Sequence, residues 1–211
     1  MPENIVDRLV ETFRRFPGIG PRQARRFVYH LLHEGRGSID YLTTQLRELT
    51  SAVAQCGQCF RFYSSNSRGH LQAKDCDLCQ DASRDSSLLM IVEKDADLEA
   101  VRQSGTYQGH FFVLGGLIPI LEKDPKSKVR LNELLTAITR RAKADELKEI
   151  IVALAVNPEG DHTIEFLKQI LEEFVSSKSL KLTVLGRGLS TGTELEYSDA
   201  ETIKNALANR S

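Results

Sequence analysis

Four cysteines carry the clearest chemistry in this chain. Cys56-x-x-Cys59 and Cys76-x-x-Cys79 are two C-x-x-C pairs separated by sixteen residues, the spacing of a four-cysteine zinc finger or ribbon. Each pair can direct two sulfurs at one ion, and two pairs close a tetrahedron of thiolates. A closed tetrahedron leaves no position for a substrate water, so the expected metal is structural: one Zn2+ per chain, held by Cys56, Cys59, Cys76 and Cys79. In a reducing compartment this grouping favours metal over disulfides. Neither pair lies at a strand-to-helix turn of a thioredoxin-like pattern, which argues against redox work. His70 falls in the same segment and reads as a surface loop residue beside four sufficient ligands.

A second constellation surrounds Pro17-Gly18-Ile19-Gly20. Helix, Pro-Gly-Ile-Gly, helix is the form of a helix-hairpin-helix. Gly18 and Gly20 permit a tight turn and leave backbone N–H groups at the start of the second helix, where the dipole favours a phosphate. Arg14, Arg15, Arg22, Arg25 and Arg26 flank the turn. Arg22 and Arg26 are four apart and share a face. Gly18, Gly20, Arg22, Arg25 and Arg26 are therefore the expected DNA contacts, reading the phosphate backbone and not the bases. A plain helical hairpin with a solvated basic face is the alternative.

Acidic residues form the third group. Glu93, followed by Asp95 and Asp97, ends one apolar run; Asn157, Glu159 and Asp161 follow another. Carboxylates beyond the carboxyl ends of parallel strands lie where open α/β sheets place ligand sites, and several together could hold Mg2+. The pattern resembles the Toprim fold, with a Glu after one strand and Asp-x-Asp after another. Asn157 and Glu159 stand where those two aspartates would be, which removes one charge. Glu93, Asp97, Glu159 and Asp161 are expected to form a partner-docking or weak cation site, and no residue is assigned a catalytic role. For Asp95 and Asp97, a place in the first turn of a helix, matched to its dipole, competes with that reading.

The elements that position these groups follow from hydrophobic spacing. Residues 4–16 read as a helix lined by Ile5, Leu9, Phe13 and Phe16. A second begins at Pro21, carries Ala24, Phe27, Val28, Leu31 and Leu32, and ends at Gly35 and Gly37; a third spans about 38–54. From residue 88 strands alternate with helices. Leu88–Val92, His110–Leu114, Ile150–Val156 and Leu180–Leu185 read as strands; Asp95–Gln103, Val129–Ala142 and Thr163–Val175 as helices. A last helix is expected after Asp199, packing Ile203, Ala206 and Leu207. The fold class is thus α/β with a largely parallel sheet, in four parts: 1–54 helix-hairpin-helix, 55–82 zinc finger, 83–180 Toprim-like, and 181–211 a C-terminal strand and helix.

The chain has 211 residues and carries 28 Lys and Arg against 29 Asp and Glu, a net charge of −1. Its global field neither attracts nor repels DNA strongly, so contact must come from local clusters. No apolar run is long enough for a membrane span and no basic start precedes one, so a cytoplasmic, nucleoid-associated protein is expected.

The order of these parts is similar to that of the RecR family along nearly the whole chain. Local matches are Phe16 to Pro21, Cys79 to Asp85, Val113 to Gly116, Asn157-Pro158, Glu159 to Asp161, Arg187 to Leu189 and Glu194 to Tyr197. The resemblance implies a homotetrameric ring that encircles DNA and works with RecO, and in some settings RecF, to load RecA onto single strands. Ser190 and Thr193 occupy places where that family usually has Pro and Gly, and the 157–161 connection is shorter. The competing function is a Toprim-type Mg2+-dependent nuclease or primase-like enzyme using Glu93, Glu159 and Asp161. A zinc-ribbon adaptor that binds only protein would leave the basic hairpin unexplained.

Overall fold

The computed structural model describes residues 4–64, 74–143, 146–178, 180–186, 200 and 202–204. The chain forms two compact units, Met1–Ala54 and Gln55–Ser211.

The first unit contains α1 (Ile5–Arg14), α2 (Pro21–Glu34) and α3 (Arg36–Ala52). Asn4 caps α1 by accepting from the Val6 N–H at 3.2 Å. Val10, Ala24 and Val28 make the core, with Val6, Leu9, Phe13 and Ile19 packed against it. Spacing at one helical face explains why these residues meet. The end of α1 differs from expectation. It stops at Arg14, and Phe16 is 56% exposed in the turn instead of lining the helix. Gly35, with φ of 83°, is the true break between α2 and α3, a left-handed position that suits glycine. Gly37 lies inside α3 and does not end α2. That third helix ends at Ala52, because Val53–Gln55 extend into a strand.

At the boundary of the two units β1 (Val53–Gln55) and β2 (Phe62–Ser64) form a two-stranded sheet leading into the cysteine segment, and α4 (Asp77–Gln80) follows. A four-stranded sheet comes next: β3 (Asp85–Val92), β4 (Gly109–Val113), β5 (Glu149–Ala153) and β6 (Lys181–Val184), in the order β4-β3-β5-β6. All three pairings are parallel, with Ile91 opposite both Phe112 and Val152. The crossovers are α5 (Asp95–Ser104), α6 (Leu131–Lys143) and α7 (Pro158–Lys178).

Sheet faces alternate along each strand. Leu89, Ile91, Phe112, Leu114, Ile150 and Val152 pack under Leu134 and Ile138 of α6 and Leu167 and Leu171 of α7. Met90, Val92, Phe111 and Val113 face Leu98 of α5 together with Cys56, Cys59, Cys76 and Leu78. Burial on both faces is why the central strands read as unbroken apolar runs. The expected strand to Val156 stops at Ala153, and α7 begins at Pro158, ahead of Thr163. The cause is local: Asn157 accepts from the Gly160 N–H at 2.8 Å, and Pro158 takes the first helical position without needing a donor. Residues 65–73, with the expected position of His70, the matches at 187–197, and Asp199, Ala206 and Leu207 lie outside the described residues; Ile203 is helical.

Candidate metal centre and nucleic-acid interface

The sulfurs of Cys56, Cys59, Cys76 and Cys79 lie within 4.8 Å of one another. Two knuckles bring them there. In the first, the Cys56 N–H donates to the Arg61 carbonyl at 2.9 Å and the Phe60 N–H returns to the Cys56 carbonyl at 3.1 Å. Phe60 completes this turn with φ of 63°. In the second, Cys76 precedes α4 and its carbonyl accepts from the N–H groups of Cys79 and Gln80, both at 3.1 Å. The Gly57 N–H joins the knuckles by donating to the Lys74 carbonyl at 2.8 Å.

This donor set fits a tetrahedral thiophilic ion. Zn–S bonds of about 2.3 Å imply sulfur separations of about 3.8 Å in a tetrahedron, and Cys59 and Cys76 are 3.6 Å apart at their sulfurs. The Cys56 sulfur accepts from the backbone N–H groups of Gln58 at 3.4 Å and Cys76 at 3.3 Å. Such bonds stabilise a thiolate. Cys56 is held well below the ordinary thiol range, first by Cys59 and then by Cys76 and Cys79, whose thiols donate to it. Cys59 and Cys79 are pushed up, each chiefly by Cys56. Four sulfurs this close cannot all ionise without a cation to share, and a divalent ion would supply one.

Contacts that the sequence did not announce tie this centre to the sheet. Arg140 on α6 donates to the Gln58 side-chain carbonyl at 3.0 Å, and the Gln58 amide donates to Asp75 at 2.6 Å, linking helix and both knuckles. Arg61 pairs with Asp77, and the Phe62 N–H donates to Asp95 at 2.7 Å. The Val113 N–H donates to the Cys59 carbonyl at 2.8 Å, so the first knuckle covers part of the β4 edge. Phe60 packs on Phe112 with ring centroids 5.5 Å apart, under the Arg130 guanidinium at 5.6 Å. Only the position of Gln58 inside a C-x-x-C pair hinted at such a role.

At the hairpin, Gly18 has φ of 77°, where a side chain would be strained, whereas Gly20 is extended. No side chain caps α2, and its first turn holds no acidic residue. Its N-terminal N–H groups therefore meet no competing carboxylate from within the helix. Arg22, Arg25 and Arg26 are exposed, while Ala24 and Val28 are buried on the opposite stripe. Arg14 pairs with Glu11 at 2.7 Å and Arg25 approaches Asp7 at 3.7 Å. Among the described residues Arg22 and Arg26 make no ion pair.

The acidic residues are dispersed among local roles. Glu93 follows β3 with Lys94 at 3.7 Å. Asp97 accepts from the Lys94 N–H at 3.2 Å and caps α5. Glu159 and Asp161 occupy the first turn of α7, where carboxylates suit the dipole. Among the described residues the cysteines form a potential metal-binding group and Glu93, Asp97, Glu159 and Asp161 do not.

Comparison with known families matches residues 6–50 to the RecR helix-hairpin-helix, 87–185 to the Toprim domain and 188–211 to the RecR C-terminal region. The chain is 35% identical over 210 residues to Recombination protein RecR of Legionella pneumophila subsp. pneumophila, covering 100% of this chain and 98% of that protein. The chain belongs to the RecR family. The protein of the same name from Mycolicibacterium vanbaalenii is 34% identical over 211 residues, covering 100% and 98% of the two chains. That from Chlorobium limicola is 31% identical over 206 residues, covering 98% and 96%. RecR membership supports a role in DNA recombination and repair, and it accounts for the joint presence of hairpin, cysteine cluster and Toprim-like sheet. No helix among the described residues is long and apolar enough to cross a membrane.

Proposed function

We propose that this chain is a non-catalytic DNA-binding recombination mediator. It forms a homotetrameric ring around DNA and works with RecO, and with RecF where present, to load RecA onto single strands in the cytoplasm. Residues 1–54 bind DNA, 55–82 form a finger around one structural Zn2+, 83–180 form the Toprim domain and 181–211 the C-terminal strand and helix. The observation that carries this reading is the exposed Arg22 and Arg26, which make no ion pair among the described residues, beside a glycine hairpin with no side-chain cap. In this arrangement the guanidinium groups and first-turn N–H groups can both meet backbone phosphates. The zinc, once bound, supplies a charge that holds four thiolates together and leaves no open position for substrate.

Cleavage chemistry is disfavoured by the acidic residues themselves. Two-metal phosphodiester hydrolysis needs carboxylates converging on ions a few ångströms apart. Here Asp97 caps a helix, and the Asn157 amide is committed to the Gly160 N–H. Glu93, Glu159 and Asp161 instead suit docking of a basic partner surface such as one on RecO.

The test replaces Arg22 and Arg26 with alanine and measures affinity for several DNA sequences across a salt series. Binding should weaken about equally for all sequences, and the salt slope should flatten by up to about two units. Unchanged binding by the folded double variant would remove the hairpin from the interface.

A further inference from the structure

The N-terminal end of the four-stranded sheet holds polar groups that neither the cysteine centre nor the hairpin uses. His110, on the edge strand β4, is only 8% exposed, yet its Nδ1 has no hydrogen-bond partner. Strand alternation puts its side chain on the face shared with Phe112, which α6 covers. Leu134 and Ile138 of α6 are buried against that face. Arg141 follows Ile138 by three positions and Leu134 by seven, so it lies on the same side of the helix. Because α6 returns between parallel strands, its last turn sits at their N-terminal ends, level with His110. Arg140 and Lys143, which are exposed, satisfy the helix dipole there; Arg141 is partly buried and makes no hydrogen bond or ion pair among the described residues.

The surroundings are built and not accidental. Arg84 donates to the Gly109 carbonyl through Nε at 2.9 Å and Nη2 at 2.7 Å, fixing the start of β4. Tyr107 donates its hydroxyl to the His110 carbonyl at 2.9 Å. Arg141 is drawn below the ordinary guanidinium range by burial, with the charge of Cys79 opposing, Arg140 adding to the lowering and Glu146 opposing it again. His110 is lowered to about 4, first by burial and then by the charges of Arg141 and Arg84, with Asp81 and Asp85 opposing them. Arg141 is only partly buried, so its guanidinium keeps access to solvent, whereas the buried His110 Nδ1 without a partner is costly unless something completes its set.

We propose that Arg141 and His110, with the charge of Arg84 behind them, form a recessed site for one phosphate-type oxyanion, either a free phosphate group or one phosphate of a nucleic-acid backbone. Arg141 supplies charge-assisted N–H donors. His110 takes one proton from solvent as the anion enters and becomes a second donor, so binding is coupled to proton uptake and strengthens as pH falls. The site belongs wholly to the second unit and does not depend on the hairpin reading.

The experiment uses full-length zinc-loaded protein titrated with inorganic phosphate against chloride at matched ionic strength, near pH 6 and near pH 8, by calorimetry and by NMR of the histidine side chains. Saturable binding with proton uptake is expected, tighter at the lower pH, with the His110 titration moved up from about 4 when phosphate is bound. Arg141→Met should weaken binding about tenfold or more, while Lys168→Ala, at an exposed position of α7 paired with Glu165, leaves it unchanged. A short thymidine oligonucleotide that competes for the His110 signal identifies a backbone phosphate as occupant; one that does not identifies a free phosphate group. If Arg141→Met fails to fold, His110→Leu must lose the proton linkage while keeping its zinc. No saturable binding, or an equal phosphate response in Arg141→Met, overturns the proposal. So does a variant that loses zinc but still binds phosphate, which would assign Arg141 to the thiolate centre.

Discussion

Single side chains in this molecule are set by the groups that surround them. Cys56 accepts two backbone N–H bonds and is the thiol most readily ionised in its cluster. Serine at that position offers a shorter, harder donor that zinc holds poorly. Structural zinc contributes on the order of 10 kcal/mol to folding in small fingers, so Cys56→Ser should reduce bound zinc and lower the melting temperature markedly. Metal analysis and calorimetry of the purified variant check this, and wild-type values for both would remove the metal from the account. His110 gives a second prediction, with the opposite kind of dependence. Its folded pKa of about 4 lies below the ordinary value near 6.5. Below that ordinary value the unfolded chain binds a proton the folded chain refuses, so stability falls as pH drops from about 6.5 to about 4 and this group adds no further loss beneath that. The full effect is at most roughly 3 kcal/mol. His110→Leu should flatten the denaturation midpoint across that window in phosphate-free buffer; a parallel pH profile for the two proteins would contradict the buried neutral imidazole.

At the scale of elements, glycine at position 160 shows how a local rule can be overruled by packing. Gly160 sits in the first turn of α7, and a Cβ there would run into the backbone carbonyl of Ala155. Gly160→Ala should therefore destabilise the protein by roughly 1–3 kcal/mol, although alanine is the better helix former. Chemical denaturation reads the difference; a neutral or stabilising result would mean the 155–160 turn relaxes freely. The same residue explains why the start of α7 was hard to place from sequence. Asn-Pro-Glu-Gly reads as a turn, and only the Asn157 cap and the close approach at Gly160 reveal a helix beginning there. The cores of α2, α6 and α7 were legible because their apolar residues repeat at helical spacing, and the central strands because burial on both faces makes them uniformly apolar. The quartet was legible because its geometry is encoded in four positions. The contact of Arg140 with Gln58 was not, since the two are far apart in sequence and meet only through the packing of α6 on the knuckle, and nothing in the sequence puts the charge of Arg141 within reach of His110.

For the whole molecule the informative feature is apolar surface left uncovered in the first unit. No residue of α3 is buried, and Tyr41, Leu46 and Leu49 are 69%, 57% and 57% exposed, with Leu42 at 38%. Leu42, Leu46 and Leu49 fall at helical spacing and so share one face. An exposed stripe of this kind marks a surface covered by another molecule, and in the tetramer proposed above the simplest cover is a second copy of the same unit. Isologous contact would set two such stripes against each other, each leucine buried contributing about 1.5–3 kcal/mol. Leu46→Glu places a charge in the middle of that contact and should shift the assembly toward smaller species in light scattering while leaving the isolated fold intact, because Leu46 is not part of the core formed by Val10, Ala24 and Val28. If DNA is held by encirclement, affinity for long DNA should fall together with the mass. Should the variant keep the wild-type mass, α3 is not the assembling surface; should it become smaller yet bind DNA as tightly as before, the hairpin binds DNA without a ring.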